Sequence, residues 1–151
     1  INKFLKKNKS KIIFEPGRSI IGNVGILISK IIYIKKNKNK TFVILDAAMN
    51  DLMRPALYGA KHQIIPSIKN NKKLKKIFEF VGPICESTDK FLTVNNFQSL
   101  KEGDNIIICD VGAYGYSLSS NYNARPKPAE IMINGRKINL IQKRQKLKDL
   151  I

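Results

Sequence analysis

Short apolar runs alternate with polar, turn-forming stretches along the chain, and the runs are too short and too closely spaced for long helices. "TFVILDAAMN" (41 to 50) starts as an unbroken apolar run and ends in a polar turn, which predicts a buried strand. "GAKHQIIPSI" and "KKIFEFVG" predict two more strands, with a Lys-rich turn between them. "KFLTVNNF" follows, and then "EGDNIIICDVGAYG", where a Gly-Asp turn launches a strand that closes in a Gly-rich loop. The clearest local pattern is "AEIMINGRKINLIQ", two alternating segments around Asn134-Gly135, a pair that favours a type I′ hairpin.

The two ends read differently. "IIF" (12 to 14) predicts a short strand ended by "EPGR", because Pro16 disfavours helix at Glu15 and Gly17 permits a tight turn. Ser19 suits the N-cap of a short helix, after which the pattern becomes β-branched and alternating toward Lys35. "KRQKLKDLI" predicts a short closing helix. Strands at intervals of about ten residues with turn chemistry between them predict a mainly β chain, an antiparallel β-sandwich or barrel. On such a scaffold, chemistry sits on the loops.

Four loop segments carry that chemistry: "EPGRS" (15 to 19), "MNDLMRPALYGA" (49 to 60), "GPICESTD" (82 to 89) and "GAYGYSLSSNYNARPKPAE" (112 to 130). Arg18 and Arg54 offer planar forks suited to carboxylates, Tyr58 and Tyr114 offer phenol donors, and Glu86 accepts from an ammonium. Together they complement an amino-acid head group. Taken singly, each has an ordinary explanation. Arg18 can anchor a turn, Arg54 can pair with Asp51, an exposed Tyr can simply pack, and Cys85 beside Glu86 can be a small filler next to a solvated charge.

Composition narrows the alternatives. A hydrophobic content of 43% over 151 residues supports one sizeable core rather than disorder. The formal net charge of +17 would ordinarily point to a polyanion as partner. The excess is nearly all Lys, scattered in Asn-Lys runs such as "KKNKNK" between apolar segments, with no aromatic or Arg interleaving, so a nucleic-acid partner is not expected. Arg is scarce, and Arg18, Arg54 and Arg125 all fall in the four loops. Cys85 and Cys109 show no metal-type spacing, and the single His, His62, is near neither; a reducing, cytoplasmic compartment and no metal site are expected. No apolar stretch approaches the ~20 residues of a membrane span, and the start "INKFLKKNKSK" lacks the apolar core of a secretory signal. The first residue is Ile, so the chain is expected to begin inside a longer product.

The ordered set EPGRS, D-A-x-M-N-D-L-x-R-P-A-L-Y, G-P-x-C-E-S-x-D and G-A-Y-G-x-S-x-S-S-N-Y-N-x-R-P resembles the C-terminal part of the diaminopimelate decarboxylase family. These are pyridoxal-phosphate enzymes of the alanine-racemase-like fold that convert meso-diaminopimelate to L-lysine and carbon dioxide. EPGR is shared with decarboxylases of ornithine and arginine; the Arg-Pro-Ala-Leu-Tyr and Cys-Glu-Ser segments are more specific. The resemblance implies that residues 1–24 are the last strand and helix of a truncated (β/α)8 barrel and that 25–151 are the C-terminal β domain. The lysine that bonds the cofactor, the Gly-rich phosphate loop and the stacking His belong to the barrel and are not found here. His62 is read as lying on a strand face and is given no role.

The resemblance also implies roles. Cys85 gives a proton to the carbon that has lost carbon dioxide, which suits a thiol because it holds its proton at neutral pH. Arg18, Arg54 and Tyr58 bind the distal carboxylate of the substrate and Glu86 its distal ammonium. Tyr114 lies beside the cofactor phosphate and the substrate, and the turn of Glu15, Gly17 and Arg18 is near the phosphate. The Cys85-Glu86 loop reaches into the partner's site, so a homodimer with shared sites is implied. The competing readings are a related decarboxylase of a basic amino acid or carboxylated polyamine, a small basic nucleic-acid-binding module, and a partial gene product without activity.

Overall fold

The computed structural model describes residues 2–8 and 11–151; Ile1, Lys9 and Ser10, which fall in the expected barrel segment, lie outside the described residues. Strands dominate, as the alternation predicts. They are β1 (Leu27–Lys36), β2 (Lys40–Leu45), β3 (Ile64–Pro66), β4 (Lys73–Val81), β5 (Lys90–Gln98), β6 (Asn105–Ile108), β7 (Glu130–Asn134) and β8 (Lys137–Gln142). Helices are short: α1 (Asn2–Lys7), α2 (Gly17–Ile21) and α3 (Arg54–Tyr58).

Six strands form one sheet in the order β3-β6-β1-β2-β4-β5, and β7 and β8 form a separate hairpin. Side chains alternate across each strand, so Thr41, Val43 and Leu45 of β2 and Ile106 and Ile108 of β6 turn inward while their neighbours stay partly exposed. Ile64 from one edge strand and Phe91 from the start of the other join Ile31, Val43, Leu45, Phe78, Phe80 and Ile108 in a single core. Both edges facing one core means that the sheet curls toward a barrel. Phe97 packs edge-on against Phe80 with ring centres 5.2 Å apart, which closes the β4-β5 end of that core.

Five local expectations change. The sheet is antiparallel except at β2 and β4, which pair in parallel from Lys40↔Ile77 to Ile44↔Val81. The chain between them, long enough to hold α3 and β3, permits the crossover that parallel strands require. Residues 12–14 form no strand, because among the described residues none pairs with them. Ser19 lies inside α2, where its hydroxyl donates to the Pro16 carbonyl at 2.5 Å; Pro16 occupies the cap position. The closing segment is a 3-10 turn over Leu147–Leu150. The hairpin forms as expected, but its two-residue loop is Gly135-Arg136, with Asn134 paired to Lys137. Positive φ at Gly135 (60°) and not at Arg136 is the pattern of a type II′ turn, which needs glycine first, rather than type I′.

Glu79 lies on the face of β4 opposite Phe78 and Phe80 and is nonetheless buried. Lys40 and Lys90 cover it, with Nζ atoms 2.6 and 3.1 Å from its carboxylate oxygens. No helix among the described residues is long and apolar enough to cross a membrane.

Candidate active site

The loops at one end of the sheet are tied together by buried polar groups, and the exposed side chains they carry form the candidate site. The first tie links α2 to the 110–115 loop. Val111 N–H donates to Gly25 O and Gly112 N–H to Gly22 O, both at 3.0 Å. A Cβ on Gly112 would lie 2.0 Å from the Ile21 carbonyl oxygen, so only glycine allows this approach. Arg18, one turn earlier, is thereby set beside the loop that carries Tyr114.

A second tie holds the segment before α3. Asn50 is fully buried, its amide nitrogen donating to Ser120 O at 3.2 Å and its oxygen accepting from Arg125 Nε at 3.1 Å. Arg125 also donates to the Asp46 carbonyl. Asp51 accepts from Ala48 N–H at 2.8 Å; burial pushes its carboxyl above the ordinary range, against the pull of that bond and of the Arg125 charge. Arg125, from the fourth loop, therefore fastens the loop preceding Arg54.

Arg54 opens α3, where Pro55 takes the first turn without loss of a hydrogen bond, and Gly59 ends the helix in the left-handed conformation at φ 63°. The Arg54 guanidinium carbon lies 5.6 Å from the Tyr58 ring centre and 5.4 Å from the Tyr114 ring centre. Tyr114 itself has φ 63°, a left-handed backbone that costs a non-glycine residue energy and is concentrated at functional sites. Arg18 and Arg54 line one cleft of about 340 Å³ with Ser19, Asn23, His62 and Asp110. Neither arginine makes an ion pair among the described residues. Arg54 does not pair with Asp51, whose carboxylate is turned to Ala48 and Asn50. The cleft thus offers two guanidinium groups that make no ion pair among the described residues, one of them framed by phenol rings. That donor set suits a carboxylate or a phosphate.

Glu15 and Gly17 are exposed beside Arg18, and among the described residues nothing comes within 4 Å of where a Gly17 Cβ would lie. Cys85 and Glu86 are also exposed, but neither lines the Arg18–Arg54 cleft. The structure brings together Arg18, Arg54, Tyr58 and Tyr114 and leaves the Cys85-Glu86 pair outside.

His62 corrects the reading made from sequence. It precedes β3 rather than lying on it, is 4% exposed, and lines the cleft. Its Nδ1 lies 2.9 Å from Cys109 O, and since a carbonyl only accepts, Nδ1 donates. Nε2 is buried with no partner among the described residues. Nothing in "GAKHQII" signals this, because the cleft is built from segments far apart in sequence. Cys109 is half-buried; burial, with the Asp110 charge, pushes its thiol up and away from reactivity.

A family profile described as "Pyridoxal-dependent decarboxylase, C-terminal sheet domain" matches residues 19–112. The diaminopimelate decarboxylase of Aquifex aeolicus is 43% identical over 141 residues, covering 93% of this chain and 33% of that protein. The one from Zymomonas mobilis is 46% identical, covering 100% of this chain and 35% of that protein. Among solved structures, diaminopimelate decarboxylase from Helicobacter pylori complexed with L-lysine superposes with a TM-score of 0.82 at 48% identity, over 90% of this chain and 33% of that one. The M. jannaschii enzyme in co-complex with L-lysine gives a TM-score of 0.90 at 39% identity, over 99% of this chain and 35% of that one. The chain spans about a third of the length of the curated relatives it matches. By profile, by extended identity and by superposition, the chain belongs to the pyridoxal-dependent decarboxylases and carries their C-terminal sheet domain.

Proposed function

We propose that this chain supplies the C-terminal part of a diaminopimelate decarboxylase, which removes carbon dioxide from meso-diaminopimelate to leave L-lysine. The observation that carries the reading is the cleft in which Arg18 and Arg54, neither in an ion pair among the described residues, stand beside Tyr58 and Tyr114. The relatives named above, two of them solved with L-lysine bound, point to a substrate with the same amino-acid head.

Pyridoxal phosphate, when bound, supplies an electron sink for the breaking carbon-carbon bond. The residues present fit part of its surroundings: Arg18 and Tyr114 are available to its phosphate, with Glu15 and Gly17 at the adjoining turn. The lysine that bonds the cofactor is assigned to the rest of the polypeptide, so this chain alone is expected to be inactive. Arg18, Arg54 and Tyr58 receive the distal carboxylate of the substrate. Glu86 receives its distal ammonium, and Cys85 gives a proton from Sγ to the carbon left by carbon dioxide. Exposure of Cys85 and Glu86 outside their own cleft supports a homodimer in which this loop serves the partner's site. Exposure of Phe14, Ile20, Ile21 and Val24 supports assigning 1–24 to the end of a barrel and 25–151 to the β domain. Two free thiols are in keeping with a reducing cytoplasm.

A site built from charged partners for both ends of the substrate rejects analogues that leave those partners unpaired. The test is lysine formation by the complete polypeptide supplied with pyridoxal phosphate and meso-diaminopimelate, against ornithine and a carboxylated polyamine. Turnover restricted to meso-diaminopimelate is expected. Equal or better turnover of ornithine would move the chain to a neighbouring decarboxylase.

A further inference from the structure

We propose that Asp89 is the positioning residue of the Cys85-Glu86 pair, its carboxylate clamping that loop to the segment that leads into Arg54. The inference rests on the function proposed above, and its geometry concerns a residue that function leaves unused. Asp89 is 3% exposed. One carboxylate oxygen accepts from Met49 N–H at 2.7 Å and the other from Ile84 N–H at 2.8 Å. Its own N–H donates to Glu86 O at 3.0 Å, and its carbonyl accepts from Gly82 N–H at 2.9 Å. The bonds at Ile84 and Glu86 tie the backbone on both sides of Cys85. A Cβ on Gly82 would lie 2.2 Å from an Asp89 carboxylate oxygen, so glycine there leaves room for the clamp.

The other end of the clamp is equally anchored. Met49 belongs to a turn in which Asp51 N–H and Leu52 N–H both donate to Ala48 O, and Leu52 is buried in the core. That turn leads directly into α3 and Arg54. Asp89 therefore sets the exposed pair at a fixed place relative to the Arg54 helix. A loop that serves a site it does not itself line requires a rigid base, since a misplacement of about 1 Å costs on the order of a hundredfold in rate. Asp89 makes no ion pair among the described residues, and burial pushes its carboxyl up despite the two amide donors and the distant Arg125 charge. A buried carboxylate held at that disadvantage is a poor device for stability alone.

The experiment compares the complete enzyme, as dimer with pyridoxal phosphate bound, with its Asp89→Asn variant. The substitution keeps the shape but turns an amide NH2 toward one of the two N–H donors. Expected results are amide exchange at least tenfold faster at Ile84 and Met49, unchanged exchange in β1 and β4, and a tenfold to hundredfold loss of kcat/KM on meso-diaminopimelate. Discrimination against ornithine should relax too, because Glu86 shifts with the loop. Faster loop exchange with unchanged kcat/KM overturns the positioning role. Exchange that rises equally in β1 and β4 also overturns it, leaving Asp89 a general stabiliser. If the variant does not fold, the unsubstituted enzyme decides: Ile84 and Met49 amides that exchange as fast as open loop amides refute the clamp. An unsubstituted enzyme inactive on meso-diaminopimelate refutes the proposed function instead, and the exchange data judge the clamp separately.

Discussion

The Arg54 guanidinium stands 5.4 Å from the centre of the Tyr114 ring, joining the helix after β2 to the loop after β6. With Tyr58 at 5.6 Å, Arg54 has an aromatic face at two of its sides. Stacking restricts the planar fork to few orientations, so less freedom is lost when it grips a carboxylate. Arg54→Ala in the complete enzyme should lower kcat/KM on meso-diaminopimelate by about one to two decades, the worth of a charge-assisted contact of roughly 1.5 to 3 kcal/mol. Arg54→Lys keeps the charge without the fork and should fall between the two. Steady-state kinetics on folded variants checks both, and unchanged kcat/KM for Arg54→Ala would remove Arg54 from substrate binding.

Tyr114 separates activity from stability. Its left-handed backbone costs roughly 1 to 2 kcal/mol, which glycine avoids, while glycine raises the entropy of the unfolded chain by a similar amount. Tyr114 is 49% exposed, so its side chain is no part of the core. Tyr114→Gly should leave Tm nearly unchanged and still lower kcat/KM, because Arg54 loses one of its rings. Thermal unfolding measured beside kinetics tests this; a large fall in Tm would mean that the ring is chiefly structural.

Cys85→Ala and Glu86→Ala should fail differently. Loss of the proton donor lowers kcat, whereas loss of the ammonium partner shows in kcat/KM and relaxes discrimination. Mixing Cys85→Ala subunits with subunits that lack the cofactor-bonding lysine gives heterodimers with one intact site if the loop serves its partner. Activity should then return. Confirmed heterodimers without activity would rule out shared sites.

Glu79 sets a pH dependence. Burial raises its carboxyl, but hydrogen bonds and charge from Lys40 and Lys90 outweigh burial and leave it below the ordinary range. A carboxylate with a lowered folded pKa stabilises the fold above its unfolded value, about 4.3, and that contribution is lost as pH falls through the folded value. Both lysines are partly exposed, so the contribution is about 1 kcal/mol at most. Glu79→Gln should therefore lower Tm at neutral pH, with the difference vanishing as acid protonates the folded carboxylate, below the range in which the unfolded one titrates. A difference that persisted or grew in acid would show that packing, not charge, is what Glu79 provides.

The apolar runs at 41–45 and 105–108 are legible as strands, but an unbroken run does not say which side chains face the core; only the fold turns Val43, Leu45, Ile106 and Ile108 inward. The hairpin over 130–142 was equally legible, since a two-residue glycine turn is a local event. Order and chemistry of the loop residues pointed to an amino-acid head group, and the resemblance they carry agrees with the family found by comparison. The parallel pairing of β2 with β4 was not legible, because nothing in either strand encodes the partner chosen across a long crossover. Nor was the strand expected at 12–14 excluded by its residues: a strand exists only when another lies beside it. Three-dimensional placement also divided the motif residues. Arg18, Arg54, Tyr58 and Tyr114 came together, Cys85 and Glu86 stayed outside that cleft, and buried Asn50 and Asp89 with half-buried Arg125 proved to be ties between loops rather than solvated side chains. Residue chemistry is local and can be read along a line; burial, and the company a polar group keeps, depend on segments that meet only when the chain folds.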